Sequence, residues 1–177
     1  VYETEIFTKI KENFDELNSL EKYRLLEDTW KAVTVGKFSI NDFLEFLPIY
    51  KLERDPNIWA YISGIVSSIS KILPSENNDS FVNYFNKLID SIKNDLGREI
   101  RESDSLELKE LRAIVNKLVA TIENEKSFVE FYSSMFQDGS VDKVQDGSLF
   151  NTALYISALD PEIKIEQFLE KFLNAGS

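Results

Sequence analysis

Apolar residues recur three and four positions apart along nearly the whole chain, in runs that each follow a residue able to cap a helix. Such spacing returns side chains to one face of a 3.6-residue turn, so it commits a chain to amphipathic helices that bury a stripe against their neighbours. No segment longer than four residues alternates cleanly between apolar and polar with turn residues at its ends. Strands are therefore not expected. Six Gly and four Pro in 177 residues agree, because a turn-rich all-β chain uses more of both.

Ile6, Phe7, Ile10, Phe14 and Leu17 mark a first amphipathic helix. Ser19 opens a second, with Tyr23, Leu26, Trp30 and Val33 on one face, closing near Gly36. Ser39 opens a short one, Ile40 to Leu47, which Pro48 limits. Asp55-Pro56 sets a capping acceptor before a residue whose missing N–H costs nothing in a first turn. The helix behind it carries Ile58, Trp59, Ile62, Ile65, Val66, Ile69 and Leu73 as its buried face. Asn77-Asn78-Asp79 precedes Phe81, Phe85, Leu88, Ile92 and Leu96, and Gly97 stands where a left-handed C-terminal cap is expected. Asp104 and Glu107 have capping-box spacing, ahead of a narrow stripe of Leu108, Leu111, Val115, Leu118 and Ile122. Helices from Lys126 to Gln137 and from Ser148 to Leu159 follow, and Asp160-Pro161 repeats the cap-plus-proline device before Ile165, Phe168, Leu169 and Phe172.

These signals predict an all-α fold of about nine antiparallel helices forming one domain over residues 1–177. Alternate caps at Ser19, Asp55, Asp104 and Ser148 lie about 35 to 50 residues apart, near the roughly 40–47-residue period of HEAT and armadillo helix pairs. A curved α-solenoid of that kind is the expected architecture.

Composition narrows the chemistry. His is absent, which removes the commonest general base and transition-metal ligand, and Cys is absent, which removes thiolates and disulfides. With 31 acidic and 20 basic side chains the net charge is −11, so counterion release cannot drive nucleic-acid binding. No apolar stretch approaches the roughly 20 residues that span a bilayer, and Val1-Tyr2-Glu3-Thr4-Glu5 lacks a positive leader region. No membrane partner is expected, and the lack of Cys favours the cytoplasm. The chain begins without Met inside a helical pattern, which suggests a piece of something longer.

Tyr23-Arg24-Leu25-Leu26-Glu27-Asp28-Thr29-Trp30, Gly36-Lys37-Phe38-Ser39, then Leu44, Tyr50, Glu53, Asp55, Pro56 and Trp59, and later Leu111-Arg112 and Met135-Phe136, follow one another in a telling order. That order resembles the C-terminal helical domain of the aminopeptidase N family of zinc metallopeptidases, which includes the endoplasmic-reticulum aminopeptidases, the puromycin-sensitive enzymes and the archaeal tricorn-interacting factors. Residues 50–59 are similar to its Tyr-x-x-Glu-x-Asp-x-x-x-Trp stretch, whereas Leu149-Phe150 stands where relatives carry Leu-Arg.

The family's zinc is held by a His-Glu-x-x-His helix and a distant Glu. Neither is present here, so the resemblance implies zinc in the parent enzyme and no cofactor in this chain. It implies a non-catalytic domain that caps the active site and encloses the peptide chamber, with the parent's catalytic domain and a peptide substrate as partners. A basic side chain on the inner wall would then pair with the peptide's terminal carboxylate. Lys71 is the first candidate and Arg112 the second. The plainer readings make Lys71 a favourable charge at a helix C-terminus and Arg112 a helical partner of Glu107. A free-standing helical-repeat scaffold for protein–protein interaction is the alternative from another class.

Other motifs carry less. Asp138, Ser140 and Asp142 have calcium-loop spacing, but Lys143 stands where that loop needs Gly and Leu149 where it needs a bidentate Glu. Glu27 and Asp28 are adjacent on a helix and point in different directions, so they do not form an acid–base pair. Trp30 and Trp59 lie in apolar stripes and read as core.

Overall fold

The computed structural model describes residues 4–73, 78–99, 101, 103–123 and 126–174, apart from the side chains of residues 4–7, 123, 172 and 174. The expectations for the side chains of Ile6, Phe7 and Phe172, and for Asn77, lie outside the described residues. Among those described, the chain is all-α with no strand: α1 Thr4–Glu12, α2 Ser19–Thr34, α3 Ile40–Phe46, α4 Pro56–Ile72, α5 Asn78–Leu96, α6 Leu106–Glu123, α7 Lys126–Gln137, α8 Gly147–Ser157 and α9 Ile165–Asn174. Short 3-10 turns cover Phe14–Glu16, Leu47–Leu52 and Ser140–Lys143. Two compact units divide it, Val1–Asp95 and Leu96–Ser177.

Helix identity follows the periodicity, but several starts move to a neighbouring acceptor. α2 is capped by Asn18 rather than Ser19, because Asn18 has Glu21 three residues ahead and the two close a reciprocal box at 2.9 and 3.0 Å. α8 is capped by Asp146, whose carboxylate accepts from both Ser148 N and Leu149 N at 3.0 Å, and Ser148 is left inside the first turn. The Asp104–Glu107 box does not form. Ser105 Oγ accepts from Leu108 N at 3.3 Å, and Asp104 is engaged elsewhere. Asp160-Pro161 opens a turn instead of a helix: Asp160 accepts from Glu162 N and Ile163 N, Ile163 enters the core, and α9 begins at Ile165. The first helix likewise stops at Glu12, leaving buried Phe14 in a 3-10 turn. Where Gly alone is comfortable, the reading holds: Gly36 and Gly97 take φ of 71° and 66°.

In the first unit α2 packs on α4 and α3. Ile58, Trp59, Ile62, Ile65, Val66 and Ile69 are buried as α4's apolar face requires, whereas Leu73 is half-buried just past the helix end and Trp30 is half-buried against Phe43. The Tyr-x-x-Glu-x-Asp-x-x-x-Trp stretch is a staple between α2 and the entry to α4. Tyr50 Oη donates to Lys22 O at 2.9 Å, Glu53 pairs with Lys22 Nζ at 3.0 Å, Trp59 Nε1 donates to Glu53 O at 2.8 Å, and Asp55 caps α4 through Asn57 N.

In the second unit α6 and α7 both pack on α8. α6 is buried more widely than a narrow stripe, since Arg112, Ala113, Asn116, Val119 and Ala120 join the apolar row. Hydrogen bonds join buried polar groups of α6, α7 and α8: Asn116 Nδ2 donates to Tyr132 Oη at 2.6 Å, Tyr132 Oη to Arg98 O at 2.8 Å, and Ser157 Oγ to Tyr132 O at 2.9 Å, whereas Ser133 Oγ on α7 is buried without a partner among the described residues.

Burial raises the phenol pKa of Tyr50, Tyr84 and Tyr132 above the ordinary value, because a phenolate in a dry site is disfavoured. A pKa raised by folding lends stability that is complete below the unfolded value of about 10 and is lost as pH climbs beyond it toward the folded values. These three phenols are therefore expected to ionise only as the helical circular dichroism collapses. Phenolate absorbance appearing in full while the helices persist would contradict their burial.

Candidate functional site

The α2 and α4 starts leave an open groove of about 710 Å³, lined by Leu20 and Tyr23 from α2 and by Asp55, Asn57, Ala60 and Tyr61 from α4. Tyr23 and Tyr61 meet edge-to-face with ring centroids 5.5 Å apart, and Leu20 is exposed at its mouth. The Tyr61 hydroxyl has its pKa raised by burial and by the Glu27 carboxylate. Glu27 is itself held by Lys31 at 3.0 Å, and Asp28 is exposed, so the two carboxylates have separate surroundings.

From this groove a straight exposed stripe runs along α4 through Asn57, Ala60, Gly64, Ser68 and Lys71. The steps of three and four residues keep it on one face. It is smooth, because its central side chains are small and a Cβ added at Gly64 would meet nothing within 4 Å. Lys71 ends it in the last turn of α4, exposed and without an ion pair among the described residues. Ala60 and Lys71 are about 16 Å apart along the helix at roughly 1.5 Å per residue.

Arg112 is placed quite differently. Its side chain is 1% exposed, Nε and Nη2 donate to Asp104 Oδ2 at 2.9 and 2.5 Å, and Nη1 donates to Gly97 O at 3.1 Å and to Leu96 O. Its partner is thus Asp104 rather than Glu107, and its guanidinium closes the C-terminal end of α5 instead of facing a ligand. Lys71 and Arg112 also belong to different units.

Zinc does not fit the residues present. The chain has no His or Cys, and no group of three or more Asp and Glu able to hold a metal lies among the described residues. In the Asp138–Asp142 segment, Asp138 accepts from Ser140 N at 2.7 Å and Asp142 pairs with Lys171. One carboxylate is thus committed to the turn and the other to an ion pair with α9. Among the described residues no helix is long and apolar enough to cross a membrane.

Sequence reading singled out Lys71 but not the stripe that leads to it, nor the pairing of Tyr23 with Tyr61. The signal for the stripe was small polar or glycine residues at steps of three and four on the face opposite Ile58, Ile62, Ile65 and Ile69. The tyrosine pairing joins two helices and has no local trace.

The described residues define an all-α helical domain without a metal-ligating cluster. A family model, the ERAP1-like C-terminal domain, matches residues 1–177, and the chain belongs to that family. It is therefore a helical domain of the aminopeptidase-like kind, of the type associated with a catalytic domain. No curated protein and no solved structure matches the chain.

Proposed function

We propose that this domain caps the active site of a zinc aminopeptidase and helps to enclose the peptide substrate. The supporting observation is the smooth exposed stripe of α4 that joins a tyrosine-lined groove to a single ammonium group, Lys71. An extended peptide rises about 3.3 Å per residue, so about five residues cover the distance from Ala60 to Lys71. Lys71 would receive the terminal carboxylate, and Tyr23, Tyr61 and Leu20 would contact apolar side chains. The zinc and the hydrolytic groups belong to the parent's catalytic domain. Enclosure contributes by excluding water and orienting the peptide. Arg112 takes no part in this reading, because its donors are used inside the second unit.

Two substitutions in the full-length enzyme test this. Lys71→Glu reverses the charge offered to the carboxylate, a contact worth about 0.2–1 kcal/mol at a surface and more if enclosure dries it. Gly64→Phe obstructs the stripe in open space. Both are expected to raise KM several-fold for long peptides and to leave a single-residue reporter substrate nearly unchanged. Equal effects on both substrates, or none on either, would remove α4 from the chamber wall.

A further inference from the structure

Among the described residues of the second unit, one apolar ridge stays exposed. On α9, Phe168 faces inward with its ring centroid 4.4 Å from that of Phe136, and Lys171 lies over the same ring and pairs with Asp142. Ile165, Leu169 and Leu173 point away and are 70%, 55% and 73% exposed. Their spacing of four makes them one ridge, the element by which a helix interdigitates with another helix, and it runs about 12 Å at 1.5 Å per residue. Singly exposed leucines are ordinary, but a contiguous apolar row on a surface marks a contact site.

The charge beside the ridge says what kind of helix fits. One flank of α9 is occupied by its packing on α7 through Phe168 and Lys171. The free flank carries Glu166 and Glu170, with Glu162 in the preceding turn; all three are exposed, and none forms an ion pair among the described residues. The nearby cations are engaged, Lys171 with Asp142 and Lys164 with Pro161 O at 3.0 Å. We propose that this ridge docks an amphipathic helix of a partner protein, one that sets apolar residues between Ile165, Leu169 and Leu173 and runs Lys or Arg along Glu166 and Glu170. The site lies on a different unit from the α4 stripe and stands independently of the peptide-chamber reading.

Isolated helices shorter than about 12–15 residues are marginal in water, so the probes are two synthetic peptides of about 18 residues. They share a row of Leu at every fourth position and differ in carrying Lys or Glu beside it. Titrated against the 177-residue chain by fluorescence anisotropy, the Lys peptide is expected to bind at least tenfold more tightly than the Glu peptide and to weaken with salt. The doubly substituted Glu166→Lys/Glu170→Lys chain is expected to reverse that preference. Leu169→Asp, at an exposed position, is expected to abolish binding of both peptides while the circular dichroism spectrum is retained, and should it fail to fold, the charge-reversed chain alone decides. Equal binding of the two peptides, binding of neither, or a preference unmoved by charge reversal overturns the proposal. So does self-association of the chain that Leu169→Asp disperses, because the ridge would then belong to a second copy.

Discussion

Replacing Arg112 by Ala is expected to destabilise the second unit by about 3–5 kcal/mol, the range for removing one partner of a buried ion pair. The side chain is 1% exposed and its Asp104 partner 9%. Its loss strands a carboxylate together with the carbonyls of Leu96 and Gly97, which have lost the donor that closed the end of α5. An unsatisfied buried acceptor costs more than a made hydrogen bond contributes, and a domain has only about 5–15 kcal/mol in all. Urea unfolding followed by far-UV circular dichroism reads the effect. With slopes of about 1–3 kcal/mol/M, the midpoint should fall by at least about 1 M. Arg112→Lys keeps the charge but not the planar fork that reaches both oxygen sets, and should fall between. The double change Asp104→Leu/Arg112→Met removes both charges and should recover part of the loss. A shift below about 1 kcal/mol for Arg112→Ala would show that water reaches Asp104.

Trp59→Ala is expected to cost the first unit about 3–5 kcal/mol, as for other large aromatic truncations in a core. The ring is fully buried on α4, and its Nε1 donor satisfies Glu53 O at 2.8 Å. Trp59→Phe separates the two contributions: it retains most of the apolar surface and removes one of two donors to that carbonyl, Arg54 Nη1 remaining on it at 2.8 Å, for an expected cost of about 0.5–1.5 kcal/mol. Glu53 also receives Lys22 and lies beside Tyr50, whose hydroxyl reaches Lys22 O, so loosening Trp59 is expected to free the α2 staple as well. Tyr50 should then ionise at lower pH than in the intact chain, and a phenol titration checks it. An unchanged Tyr50 titration together with a small loss of stability would show that the staple holds without Trp59.

Each helix found among the described residues, and their order, was legible locally, because a 3.6-residue turn makes burial and exposure a matter of spacing along one segment. Asp55-Pro56, Ser39 and Gly97 were legible for the same reason: each acts within its own turn, and Asp55 and Ser39 cap α4 and α3 as read. The wide burial of α6 and the exposed ridge of α9 were not, since each depends on which helices lie alongside. Lys71 could be named as a charge at a helix end, but its smooth approach and the tyrosine groove belong to α2 and α4 together. Arg112 was legible as a Leu-Arg pair and misjudged in role, because its partners sit 8, 15 and 16 residues away. Adjacent residues of similar capping strength marked the limit most clearly. Between Asn18 and Ser19 the choice lay with Glu21, and between Asp104 and Ser105 it lay with Arg112. A short-range pattern fixes that a helix starts there, and only the tertiary structure, by supplying or withdrawing a hydrogen-bond partner, decides which side chain starts it.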